Sequence, residues 1–201
     1  GDAILARMVR LAQLASNPGL LDSAYKETPA KLNALDELLE RYIARGPSQK
    51  IIAWTSFVGN IEALRRRYQR WSPVVIHGAN SNEERDRAVH AFKSDPNTRL
   101  LIANPAAARE GLTLTEANVA IYLDRTFNLV DYLQSQDRIH RISQTRLCEI
   151  VLLIAAGTVD EFIDFSLEQK HRLARYSQAD CDSISEEDLQ LRKPDVLRAL
   201  I

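Results

Sequence analysis

The apolar positions of this chain follow two different periods, and the switch between them divides it. Over residues 3–15, Ile4, Leu5, Met8, Leu11 and Leu14 recur at helical spacing until Asn17-Pro18-Gly19 stops the repeat. A second helix is predicted after Thr28-Pro29, with Leu32, Leu35, Leu38, Leu39, Tyr42 and Ile43 on one stripe and Gly46-Pro47 closing it. From there short apolar runs alternate with helical stretches. The runs are Lys50–Trp54, Pro73–Ile76, Arg99–Ala103, Asn118–Leu123 and Cys148–Ile154. They are β-branched and apolar on both faces, as strands covered by helices on each side require. Between the first three lie the amphipathic stretches Asn60–Tyr68 and Asn82–Lys93, the second opening on Ser81 with Glu84 three residues on, a capping box. Thr158–Tyr176 reads as a long helix, followed by an acidic stretch, Gln178–Asp188, and a short terminal helix after Pro194. Strand–helix–strand alternation at this length predicts an α/β fold, a doubly wound parallel sheet flanked by helices, with extra N- and C-terminal helices. The expected division is 1–46 for the N-terminal helices, 47–157 for the core and 158–201 for a C-terminal helical extension.

Composition narrows the class. A chain of 201 residues that is 45% hydrophobic supports one substantial core. No run approaches the roughly 18 apolar residues of a membrane span, and Arg7 and Arg10 interrupt any signal-peptide pattern. The two cysteines, Cys148 and Cys181, form no CxxC and join no histidine cluster, so neither a disulfide framework nor a metal site is predicted. An intracellular protein is expected, cytoplasmic in a bacterium and nuclear in a eukaryote. The net charge of −1 excludes a uniformly basic nucleic-acid binder, so any such contact has to be made locally, by a groove.

Candidate chemistry belongs outside the carboxyl ends of the strands, where open parallel sheets bind ligands. The residues there are polar or small: Thr55-Ser56, His77-Gly78, Asn104-Pro105 and Asp124-Arg125-Thr126. Each alone is what any wet loop contains; together they form a rim suited to phosphate oxygens. The string from Ala106 to Thr115 places Gly111, a residue that allows close backbone approach, between threonines and small residues. The string Gln134-Ser135-Gln136-Asp137-Arg138-Ile139-His140-Arg141-Ile142-Ser143-Gln144 is the most informative. On a helix Gln134, Arg138 and Arg141 share one face. Two readings are open at this point. The guanidiniums and amide converge on a triphosphate, or the face is solvated, with Asp137 paired to Arg141 for roughly 0.3–0.5 kcal/mol.

Taken in order, these strings carry a resemblance that spacing alone does not. A strand ending in a small polar pair and followed by a helix (Ile51–Ser56, Ile61–Tyr68) precedes a strand leading to a glycine and a Ser-x-x-Glu-Arg helix start (Ile76-His77-Gly78, Ser81–Arg85). Then come Gly111-Leu112-Thr113-Leu114, in the place of a GLNL loop, and Asp124-Arg125-Thr126-Phe127-Asn128 as an Asp–aromatic–Asn element. Last is Q-x-x-x-R-x-H-R with Ile142-Ser143-Gln144, in the place of I-G-Q. Over roughly residues 3–178 this series resembles the second, RecA-like motor lobe of Swi/Snf-type superfamily-two helicases. The chain departs from that pattern at Arg109-Glu110, in place of Gly-Gly, at Thr113 in place of Asn, and at Ser143 in place of Gly.

The resemblance implies the second lobe of an ATP-dependent translocase or remodeller of double-stranded DNA. Arg138 and Arg141 would be its arginine fingers, with Gln134 orienting Arg138 or the attacking water. Gly111 and Leu112 would lie near the nucleotide, and Thr55, Ser56, His77, Asn104 and Asn128 would grip DNA phosphates. The sequence has no Gly-Lys-Ser/Thr and no DExH or DExD box. Phosphate-cradling and magnesium-binding residues are therefore expected on a first RecA-like lobe of the same parent protein, and this lobe alone is expected to be inactive. Three rivals accompany this reading: a catalytically inactive helicase-like lobe that binds DNA or protein, an RNA helicase lobe of another branch, and a small-molecule enzyme on a doubly wound sheet, against which the absence of a glycine-rich first turn counts. Arg65-Arg66-Arg67 and Arg70 read first as a charged outer helix face, Trp54 as core, and His140 as a packing and hydrogen-bonding residue.

Overall fold

The computed structural model describes residues 2–109 and 112–177. The predicted terminal helix after Pro194, the acidic stretch before it and Gly111 lie outside the described residues. Five strands, β1 (Ile51–Trp54), β2 (Val74–Ile76), β3 (Leu100–Ala103), β4 (Val119–Tyr122) and β5 (Glu149–Leu152), form one sheet in the order β2-β3-β1-β4-β5. Every pairing is parallel. The helices are α1 (Asp2–Ser16), α2 (Ala30–Ile43), α3 (Val58–Arg67), α4 (Asn82–Ser94), α5 (Leu129–Gln136) and α6 (Val159–Ser177).

Alternation along the strands sorts the core into two layers. Ile51, Ala53, Leu100, Ile102, Val119 and Ile121 face α2 and α3, meeting Leu35, Leu39, Ile61 and Leu64. Those four side chains are fully buried, each contributing about 1.5–3 kcal/mol relative to exposure. Ile52, Trp54, Leu101, Ala103, Ala120 and Tyr122 face the other way, towards Phe92 of α4 and towards Leu114 and Ile139. Trp54 is fully buried and stacked on Tyr122, so it is core, as read from the sequence. A smaller cluster of Ala12, Ile163 and Leu167 joins α1 to α6.

Polar caps fix the ends of these elements. Ser81 and Glu84 make both bonds of the capping box on α4. Arg99 donates to the carbonyls of Ile43, Gly46 and Gln49, closing the chain turn after α2. Lys31 of α2 and Asp160 of α6 form an ion pair with side chains only 3% and 7% exposed. Lys31 also donates to the Leu123 carbonyl, and Asp160 accepts from the Ala155 amide, so the pair locks both helices onto the ends of β4 and β5. The arginine-rich end of α3 does form a charged outer face: Arg67 pairs with Asp36, Arg70 with Glu40 and Arg65 with Glu62.

One expectation fails. Gln134, Arg138 and Arg141 do not share one helix, because α5 ends at Gln136. The Arg138 carbonyl accepts from the Leu114 amide at 2.9 Å, and Gln144 N–H closes a turn on Arg141 O at 2.8 Å. A loop from a distant part of the chain therefore takes the acceptor that another helical turn would need, and residues 137–144 continue as turns.

Candidate functional site

The sheet order places a topological switch at β1, whose neighbours β3 and β4 lie on opposite sides. A cleft of about 160 Å³ opens there, lined by residues that follow three strands: Ser56 after β1, Asn104 and Pro105 after β3, and Arg125, Thr126 and Asn128 after β4. Asp131 and Tyr132 of α5 complete the wall.

Asp124 organises this rim. Its carboxylate accepts from Ser16 Oγ at 2.7 Å, Thr55 Oγ1 at 2.7 Å, the Ser56 amide at 2.6 Å and Asn60 Nδ2 at 3.3 Å. The end of α1, the end of β1 and the start of α3 thus meet on one side chain, itself 2% exposed. Thr55 is fully buried with its hydroxyl on Asp124, so it supports the rim and does not reach the cleft surface. Asn104 donates to the Ser56 carbonyl and accepts from the Ala106 amide, holding the two loops together. Asn128 caps α5: its Oδ1 accepts from the amides of Val130 and Asp131, and its Nδ2 donates to Asp131. Of the five residues predicted to grip phosphates, Ser56, Asn104 and Asn128 come together in the cleft. His77 stands apart, after the edge strand β2, with its ring 3.9 Å from Glu62.

Arg125 is the cleft's principal cation. It pairs with Asp164 of α6 and lies over the Tyr132 ring, 5.1 Å from its centroid. Burial pushes the Tyr132 phenol up from its ordinary pKa, with the Arg125 charge opposing. Sequence reasoning placed Arg125 on the rim but missed Asp131 and Tyr132, because nothing in their local string says which wall of a distant strand end α5 will form.

The second constellation is the turn after α5. Arg138 is 6% exposed. One of its terminal nitrogens donates to the Leu112 carbonyl at 3.3 Å, and its buried Nε has no hydrogen-bond partner. The buried Oε1 of Gln134 also lacks one. Arg141 is exposed; its Nε donates to the Asp137 carbonyl at 3.0 Å and its Nη1 to Thr113 Oγ1 at 2.8 Å. Among the described residues no carboxylate lies within ion-pairing distance of either arginine. The solvated face with an Asp137–Arg141 ion pair is thus not what forms; backbone and threonine hold Arg141 instead. Burial, then the charge of Arg141, pulls the Arg138 guanidinium below its ordinary pKa; an anion at this position would offset that cost. Thr113, named in the sequence as a threonine flanking Gly111 and as the replacement for the loop asparagine, has its hydroxyl on Arg141. His140, read from the sequence as a packing and hydrogen-bonding residue, is exposed.

Similarity to known proteins follows the same lines. The family described as "Helicase conserved C-terminal domain" matches residues 30–143. The putative ATP-dependent helicase/translocase YwqA of Bacillus subtilis is 32% identical over 179 residues, 85% of this chain and 19% of that protein. The human DNA annealing helicase and endonuclease ZRANB3 is 30% identical over 155 residues, 76% of this chain and 14% of that protein. This chain therefore spans about a fifth or less of the length of these curated relatives. Among solved structures, the Sulfolobus solfataricus SWI2/SNF2 ATPase core in complex with dsDNA superposes with a TM-score of 0.69 at 28% identity, covering 92% of this chain and 40% of that one. With more than half of its residues matched, a five-stranded parallel sheet in common and the motif series intact in order, this chain belongs to the helicase C-terminal domain family, as a RecA-like lobe of the SWI2/SNF2 type.

Proposed function

We propose that residues 47–157 are the core of the second motor lobe of a two-lobe, ATP-dependent translocase of double-stranded DNA. The observation that carries this is the arginine turn: two guanidiniums, one of them buried with an unpartnered Nε, held by Leu112 and Thr113 and lacking carboxylate partners among the described residues. Such a site fits a polyphosphate, whose oxygens accept from planar N–H forks. Arg138 and Arg141 stabilise charge that develops on the γ-phosphoryl group, the Leu112 carbonyl fixes Arg138, and Gln134 orients Arg138 or the attacking water. Gly111 belongs beside the nucleotide. ATP supplies the transferable phosphoryl group when bound, with its magnesium ligands expected on the first lobe. Ser56, Asn104 and Asn128 hold phosphates of duplex DNA at the strand-end cleft, Thr55 supports them through Asp124, and His77 extends the track. Duplex DNA is the favoured substrate because the aligned Sulfolobus core is described in complex with dsDNA.

The test is ATP hydrolysis by the parent two-lobe protein, with duplex DNA, with RNA and with neither, comparing wild type with Arg141→Ala. Stimulation by duplex DNA and a fall of about a hundredfold or more in the variant are expected. Stimulation by RNA alone would assign the lobe to another helicase branch. Absence of turnover, or indifference to Arg141, would make it an inactive binding module.

A further inference from the structure

Three residues apart on the arginine turn, two isoleucines have opposite fates. Ile139 is fully buried, whereas Ile142 is 107% exposed, as open as in an extended peptide. The segment around Ile142 is nevertheless tied down. Gln144 donates its side-chain amide to the carbonyls of Thr115 at 3.1 Å, Ala117 at 2.8 Å and Ile139 at 3.4 Å, and accepts from the Arg146 amide. Its own N–H closes the turn onto the Arg141 carbonyl. An apolar side chain is therefore presented on a fixed base, immediately beside Arg141. The same turn carries Arg138, Arg141 and Arg146, none of which has a carboxylate partner among the described residues. A partner for this surface has to bring negative charge and an apolar socket side by side.

We propose that Ile142 is the apolar anchor by which the first lobe of the same parent protein, carrying the bound nucleotide's anionic phosphates, closes on the arginine turn. This rests on the reading of Arg138 and Arg141 given above. Burying Ile142 on closure draws the guanidiniums onto the phosphates, and Gln144 keeps anchor and arginines in one rigid piece. Ile142 is a positioning residue: it touches no reacting atom, and its effect arises through lobe closure.

The experiment compares wild-type parent protein with the Ile142→Leu, Ile142→Ser, Ile142→Asp and Arg141→Ala variants. Measured are the kcat and KM of duplex-stimulated ATP hydrolysis, nucleotide-free duplex affinity, thermal midpoint and sedimentation. Because Ile142 is fully exposed, the midpoint stays at the wild-type value in every Ile142 variant. Ile142→Leu retains activity, while Ile142→Ser and Ile142→Asp lower kcat/KM by about tenfold or more, the equivalent of losing one buried aliphatic side chain. Nucleotide-free duplex affinity stays constant. Full activity in Ile142→Asp alongside collapse in Arg141→Ala overturns the anchor and leaves the arginine reading standing; full activity in both overturns the two together. An equal loss in Ile142→Leu and Ile142→Ser, loss of a self-associated form at unchanged kcat/KM, or weakened duplex binding without nucleotide each overturns it as well. The latter two outcomes assign the surface to a second copy or to DNA.

Discussion

Asp124 illustrates how much a single carboxylate can organise when it is surrounded by donors. Four groups from three elements converge on it, and an asparagine of the same shape would turn an amide N–H₂ towards some of those donors. The Asp124→Asn variant is expected to lose on the order of 2 kcal/mol of stability, because donors inside the hub lose their acceptor without regaining water. Urea unfolding of this chain measures it, and a wild-type midpoint would show that the hub is not a structural requirement. The sequence flagged Asp124 as a polar residue after a strand and as the start of the Asp–aromatic–Asn element, but not as a hub for other side chains. Its role depends on Ser16 and Asn60, 108 and 64 positions away, which no local pattern connects to it.

At the scale of elements, α5 is where sequence and structure part and where structure and proposed function overlap. Asn128, named from the sequence only as a phosphate contact and as the end of the Asp–aromatic–Asn element, caps its start. Its end at Gln136 was not legible either, because the Leu114 amide that holds the following turn comes from another loop. The double use of Asn128 can be separated. Asn128→Ala should cost about 1 kcal/mol of stability through the lost cap, whereas Asn128→Ser, which also caps well, should stay within a few tenths. If the amide also grips phosphate, Asn128→Ser weakens duplex binding of the parent protein despite its preserved stability. Unchanged binding in that variant would confine Asn128 to capping.

For the molecule as a whole, the net charge of −1 means that no long-range field draws DNA to this lobe. The cleft residues proposed to hold phosphates, Ser56, Asn104 and Asn128, are uncharged donors, and the cleft's Arg125 is already paired with Asp164. Neutral contacts release few counterions, whereas each charged one adds about 0.9 to the slope of log affinity against log salt. Asn104→Ala in the parent protein is therefore expected to lower duplex affinity by a similar factor at every salt concentration, giving lines parallel to wild type. A slope reduced by about one would mean that removing Asn104 disturbs a charged contact instead.

Local periodicity by itself determined the five strands and every described α-helix but α5: helices at 3.6-residue spacing, buried strands as short apolar runs, and the parallel doubly wound architecture that their alternation requires. Motif order by itself pointed to the family. These are properties of neighbouring residues and of their succession, so they are written in the chain. Tertiary structure alone decided which polar residues face a cleft and which disappear beneath it. Thr55 and Ser56 are adjacent, yet one hydroxyl is fully buried on Asp124 while the other residue lines the opening. It also decided that Arg138 is buried and Arg141 exposed: α5 ends at Gln136, and the turn beyond it is held by the Leu114 amide, 24 positions before Arg138, on the Arg138 carbonyl. Burial and hydrogen-bond partnership depend on what arrives from elsewhere in the chain, and that information appears only when the distant segments meet.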